Sequence, residues 1–180
     1  MYADLLAPVV REIFGDTPLV VVGHSFGGRV ATVMAARHPE MFSNLVLTGA
    51  PLMAREGGPR RSPWAYRAIK KLAALGFVSS VRLERAKQKY GSADYRAASG
   101  QLRDILVATV GESYEAEVAL ITAPTTLLWG ADDHDVPVTV ARRSIERMKA
   151  QANLVILENV GHLVPVKAAS QLAFEVSKVI

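Results

Sequence analysis

The stretch Leu19-Val20-Val21-Val22-Gly23-His24-Ser25-Phe26-Gly27-Gly28 decides the fold of this 180-residue chain. Leu19 to Val22 is an apolar, β-branched run without polar alternation, as expected of a strand buried on both faces of a parallel sheet. Phe26 to Arg37 reads as a helix that stops at His38-Pro39. Between them lies a G-x-S-x-G turn, in the strand-then-helix context that such a turn requires. A serine there takes a strained backbone conformation, which lifts its hydroxyl clear of the sheet. Strand and helix then pass so close that side chains at Gly23 and Gly27 are expected to clash. The helix points its positive N-terminal end at the serine. The backbone N–H of Phe26 is set to donate to a developing oxyanion.

Outward from this turn, strands and helices alternate. Apolar residues at Leu5, Leu6, Val9, Val10 and Ile13 give a helical period over 2–14. Leu45 to Thr48 reads as a second buried strand. From Pro51 to about Leu120 the chain is helical and basic, with helices predicted at 63–75, 79–90, 93–110 and 112–119. The alternation then resumes, with strands at 125–129 and 154–157 and helices at 137–150 and 166–180. The pattern predicts an α/β fold: a parallel-sheet core of about four strands in 1–50 and 121–180, carrying an all-helical insertion over 51–120. The chain shows neither internal repeats nor low-complexity segments.

A serine hydroxyl is a poor nucleophile at neutral pH. It needs a base within hydrogen-bond reach and a carboxylate to orient that base. The chain holds four histidines. His24 adjoins Ser25 but belongs to the strand end, where neighbouring side chains point to opposite sides, and reads as structural. His38 reads as a cap or surface residue, and His134, in an acidic loop, as exposed. His162, in Asn159-Val160-Gly161-His162, lies just past the carboxyl end of the last strand, where parallel α/β sheets gather their reactive groups. The acid belongs after an earlier strand, in Ala131-Asp132-Asp133-His134-Asp135-Val136-Pro137. Asp133 is the choice and Asp132 the alternative. Asp135 reads as a turn or N-cap residue ahead of the helix. The resulting chain order is Ser25, Asp133, His162.

In GHSFGG at 23–28, LLWGADDHDVP at 127–137 and ENVGH at 158–162 the sequence resembles the α/β-hydrolase superfamily. The resemblance implies Ser25 as nucleophile, Asp133 as acid, His162 as base and Phe26 as one oxyanion-hole donor, with 51–120 as the lid. It implies hydrolysis of an ester or related acyl bond in a small-molecule substrate. Carbon–carbon bond hydrolysis and acyl transfer use the same residues, and an inactive fragment or interaction module is a further alternative. A serine, rather than a carboxylate, argues against haloalkane and epoxide substrates. The chemistry asks for no metal and no organic cofactor. Trp64, Tyr66, Leu72, Leu75 and Phe77 are expected either to line the acyl pocket or simply to pack the lid helices. Family members place about four strands, and a loop supplying the second oxyanion donor, ahead of the nucleophile strand. This chain begins at the helix just before it. A start inside a longer chain, a split or decayed gene, and a short protein that completes its sheet through a second copy or partner all remain open. In the chain as it stands the strand 19–22 becomes a sheet edge that invites pairing.

Composition narrows the rest. Half of the residues are hydrophobic and about a fifth charged (50% and 21%), ordinary for a globular domain able to bury its own core. With no cysteine there is no disulfide, thiolate metal site or cysteine nucleophile. No apolar run approaches the ~20 residues that span a bilayer. The start lacks a signal-peptide layout, so a cytoplasmic location is expected. The net charge of +4 is concentrated in 52–105, where 12 Lys and Arg face 4 Asp and Glu. This reads as a solvated helical surface or as a positive lid favouring anionic substrates. The basic residues match no recognition motif, so nucleic acid is not an expected partner.

Overall fold

Four parallel strands pair in chain order: β1 (Leu19–His24), β2 (Phe42–Thr48), β3 (Thr125–Gly130) and β4 (Ala152–Leu157). The computed structural model describes residues 2–54, 64–90, 98–100, 105, 109 and 112–180. Among the described residues the helices are α1 (Tyr2–Phe14), α2 (Phe26–Arg37), α3 (Trp64–Ala74), α4 (Ser80–Tyr90), α5 (Glu115–Leu120), α6 (Val138–Arg147), α7 (Val164–Lys167) and α8 (Ala169–Ser177). No helix among them is long and apolar enough to cross a membrane.

The chain divides into two compact units, one of Met1–Ala54 with Glu112–Ile180 and one of Arg55–Gly111. In the first, strand alternation sorts the core onto the two sheet faces. Leu45, Leu47, Leu127 and Trp129 pack with buried residues of α1, α2, α5 and α6. Leu128 faces the other way and packs with Val164 and Ala168 of the α7–α8 segment. The Trp129 indole N–H donates to the Val136 carbonyl at 2.8 Å, which ties the strand end to the loop that follows. In the second unit α3 packs on α4, with the Tyr66 and Tyr90 rings 5.9 Å apart. Trp64, Leu72, Leu75 and Phe77 of that unit are exposed.

Several expectations change. The strand at 19–22 runs to His24 and is half-buried rather than buried on both faces, because it pairs only with β2 among the described residues; Val22 is 44% exposed. The apolar period of α1 does not mark its packed face. Ala3 and Ala7 are buried against α2, whereas Leu5, Leu6, Val9 and Ile13 are exposed, Ile13 by 65%. The helix expected at 112–119 is α5, which belongs to the sheet-bearing unit. Val118 is fully buried there, and the Tyr114 N–H donates to the Leu52 carbonyl at 2.8 Å. The last helix breaks at Ala168, which leaves helical geometry (φ −138°, ψ 38°) between α7 and α8. The helix expected at 93–110 lies largely outside the described residues.

Candidate active site

The carboxyl ends of β1, β2, β3 and β4 bring the site together. Ser25, between β1 and α2, has φ 48° and ψ −113°. A positive φ is costly for a residue with a side chain, on the order of 1–3 kcal/mol. The surrounding structure enforces it: the Ser25 N–H donates to the Thr48 carbonyl at 2.9 Å, and the Arg29 N–H donates to the Ser25 carbonyl at 3.3 Å. The strained turn therefore presents the hydroxyl at the first turn of α2, where backbone N–H groups have no partner within the helix. Phe26 is the first residue of that helix, and its ring meets Tyr2 edge-on at 5.6 Å.

The expected reason for two small residues holds at only one of them. A Cβ on Gly23 would come within 2.8 Å of the Gly28 Cα, as close strand–helix passage demands. A Cβ on Gly27 would meet nothing within 4 Å, so steric crowding does not require glycine there. Gly28 is the second tight position, since its Cβ would lie 2.5 Å from the Ala50 Cβ. Gly27 sits on the exposed side of the first helical turn and Gly28 on the side facing β1 and β2.

Asp133 and His162 converge on Ser25. The His162 Nδ1–H donates to Asp133 Oδ2 at 2.8 Å, and the Ser25 hydroxyl donates to His162 Nε2 at 3.1 Å. These directions follow from the carboxylate, which when ionised only accepts. The other carboxylate oxygen, Oδ1, accepts the N–H groups of Asp135 at 2.9 Å and Val136 at 2.7 Å, so the acid is fixed before it meets the imidazole. Ser25, Asp133 and His162 are 6%, 3% and 8% exposed, so water competes little for these bonds.

The loops carrying acid and base are clasped together. The Asp132 N–H donates to the Val160 carbonyl and the Ala131 N–H to the Leu157 carbonyl, both at 2.9 Å. A Cβ on Gly130 would lie 2.2 Å from the Val160 carbonyl oxygen, so only glycine admits this approach. Asn159 turns the β4 loop with φ 60°. The side chain of Asp132, the alternative acid, is exposed and takes no part in the Ser25–His162–Asp133 run. Asp135 is not the N-cap; Pro137 holds that position, and Asp135 instead donates its backbone N–H to Asp133. His134 is exposed as expected. His38 caps the end of α2 with its backbone N–H on the Met34 carbonyl at 2.7 Å.

Two further residues stand beside His162: Gly49, which no motif announces, and His24, which lies within the GHSFGG motif. Gly49 (φ 54°) lies so near the His162 ring that a Cβ would come 2.9 Å from both its Cε1 and Nδ1. His24, expected to point away, has its ring centroid 5.0 Å from that of His162. Deeper along α2, the Arg29 guanidinium lies 5.8 Å above the Tyr114 ring. Burial, followed by the hydrogen bond to Glu112, pushes the Tyr114 hydroxyl up to about 12. Among the described residues no group of His, Asp and Glu could hold a metal ion.

A family model described as the alpha/beta hydrolase fold matches residues 1–169. The chain is 26% identical over 147 residues to the monoacylglycerol lipase of Mycolicibacterium smegmatis, a match covering 74% of this chain and 51% of that protein. It is 24% identical over 174 residues to a 2-hydroxy-6-oxononadienedioate/2-hydroxy-6-oxononatrienedioate hydrolase of a Pseudomonas species, covering 85% and 59%. Thus the chain spans about half of the length of these curated relatives. The crystal structure of a serine hydrolase involved in carbazole degradation superposes with a TM-score of 0.69 at 18% identity, over 98% of this chain and 69% of that one, a likeness of fold.

Proposed function

The chain belongs to the α/β-hydrolase fold family, and from that premise we propose that it carries the reactive centre of a serine hydrolase acting on an ester or related acyl bond. The observation that supports this reading is the hydrogen-bonded run from Asp133 through His162 to Ser25, at 2.8 and 3.1 Å. In the proposed reaction Ser25 Oγ bonds to the carbonyl carbon while its proton passes to His162 Nε2. The carbonyl electrons move onto oxygen, where the Phe26 N–H donates to the oxyanion. Collapse breaks the bond to the leaving group, which takes the proton from His162 and leaves an acyl-Ser25 ester. Water then repeats the steps, giving its proton to His162, and releases the acid. Asp133 holds the ring with Nδ1 protonated and stabilises the imidazolium.

In this reading the helical insertion expected over 51–120, apart from α5, takes the role of a lid. p-Nitrophenyl esters of graded chain length test that role. A second reading, hydrolysis of an activated carbon–carbon bond, draws on the relative named as a 2-hydroxy-6-oxononadienedioate/2-hydroxy-6-oxononatrienedioate hydrolase. The test of the primary reading is labelling by a fluorophosphonate. Labelling of the wild type that disappears in Ser25→Ala is the expected result. A folded protein that does not label would instead be an inactive module.

A further inference from the structure

Two hydrogen bonds hold the His162 imidazole in its own plane, one at each nitrogen. They resist tilting out of that plane poorly, because a hydrogen bond weakens only slowly over its first tens of degrees. Tilt is opposed by what lies against the ring, namely the Gly49 backbone and the His24 ring, inclined at 47° to it. His24 is itself anchored: its Nδ1 lies 2.7 Å from Thr48 Oγ1 and 3.1 Å from the Thr48 carbonyl oxygen. Thr48 is fully buried and stands opposite His24 in the register of β1 with β2. Its carbonyl also accepts the Ser25 N–H at 2.9 Å. One residue at the end of β2 thus grips the backbone of the serine turn and the ring that leans on the histidine, and the next residue, Gly49, lies against that histidine.

We propose that His24 and Thr48 act as positioning residues for the His162 imidazole, with the Thr48 hydroxyl locking His24 as a buttress against the ring. This rests on the reading of Ser25, His162 and Asp133 as a triad. Neither residue touches the reacting atoms. Their contribution is to keep Nε2 aimed at Ser25 Oγ while the serine proton is transferred. Misplacing a catalytic group by 1 Å costs about 10²-fold in rate, so a ring free to tilt through part of that range loses about tenfold.

The test compares second-order rates of fluorophosphonate labelling. Thr48→Val keeps the shape and removes the hydroxyl; it is expected to slow labelling about tenfold, and Thr48→Ser, which restores the hydroxyl, to recover most of the rate. For p-nitrophenyl ester turnover the loss falls on kcat, with KM unchanged. In a His24→Ala background Thr48→Val is expected to add less than about twofold, because the hydroxyl acts through the ring. Equal loss in Thr48→Ser and Thr48→Val, or the full Thr48→Val effect without His24, overturns the proposal. A wild-type protein that does not label refutes the triad reading instead. The positioning claim then keeps its own readout, the His162 Nδ1 proton in the 1H spectrum. It is expected to exchange with solvent about tenfold faster in Thr48→Val and at the wild-type rate in Thr48→Ser. Unchanged exchange in Thr48→Val contradicts the proposal.

Discussion

Replacing Asp133 by Asn separates the charge of the acid from its shape. Oδ1 of Asp133 accepts two backbone N–H groups, from Asp135 and Val136, at 2.9 and 2.7 Å. In the variant only the amide oxygen can take that place, so the amide NH2 is turned towards His162. An NH2 group donates and cannot accept. His162 Nδ1, 2.8 Å from the replaced oxygen, must then accept, which moves the ring proton to Nε2. Nε2 faces Ser25 Oγ at 3.1 Å and would carry a proton where the mechanism needs a lone pair. The corresponding change in a serine-protease triad lowers kcat by about 10⁴ through the same tautomer error. That factor equals about 5 kcal/mol in the activation barrier. Stability should change far less, by about 1 kcal/mol, since both backbone hydrogen bonds persist with a neutral acceptor. Fluorophosphonate labelling rates, with urea melts run alongside, measure the two quantities separately. Asp132→Asn is the control; its side chain is exposed, so labelling should stay within about twofold. A loss below tenfold in Asp133→Asn, or a comparable loss in Asp132→Asn, would refute the assignment of the acid.

Other consequences follow from packing and charge. Gly28→Ala forces its methyl to within 2.5 Å of the Ala50 Cβ and should cost about 1–3 kcal/mol in urea unfolding, whereas Gly27→Ala meets no neighbour and should be neutral or stabilising. The Arg37 guanidinium, bonded to both oxygens of Asp4 at 2.7 and 2.8 Å, holds that carboxyl down at about 2. Because the folded value lies below the unfolded one, the stabilisation is present above about pH 4 and is lost as pH falls through about 2; NMR titration should find this midpoint, and Arg37→Gln should raise it towards the ordinary range. Asp4 is exposed, so the effect should shrink in high salt. In the 180-residue chain β1 pairs only with β2 among the described residues and Val22 is exposed, so this edge is expected to pair with a strand of a second copy or of a partner. Size-exclusion chromatography should show a dimer or larger, and a monomer that melts cooperatively would count against this.

The parts of the fold that were legible in the sequence are those fixed by local chemistry. The serine turn could be read because its strand, strained residue and helix are contiguous, and Asp133 and His162 because each follows a strand end. Gly28 against Gly27 could not be ranked, since the discriminating neighbour, Ala50, is remote in sequence and reaches the turn only through sheet pairing. For the same reason nothing local marks Gly49, whose close neighbour His162 is remote in sequence. His24 reads as structural, yet its ring comes near His162, because strand alternation fixes where a side chain leaves the backbone, not where an imidazole anchored to Thr48 ends up. The apolar period of α1 misled because small residues, Ala3 and Ala7, make its closest approach to α2. Asp135 has the residue type of an N-cap, but its loop is organised around the carboxylate of Asp133, which takes its N–H.

The central claim is that a covalent acyl intermediate forms on Ser25. The direct measurement is mass spectrometry of the protein quenched in acid during turnover of a p-nitrophenyl ester, followed by tryptic digestion. Cleavage after Arg11 and Arg29 isolates Ser25 in the peptide 12–29, which holds no other serine. The account predicts one acyl group on that peptide, attached at Ser25 and absent in Ser25→Ala. An acyl group carried elsewhere, or none on a folded protein that hydrolyses the ester, would contradict it.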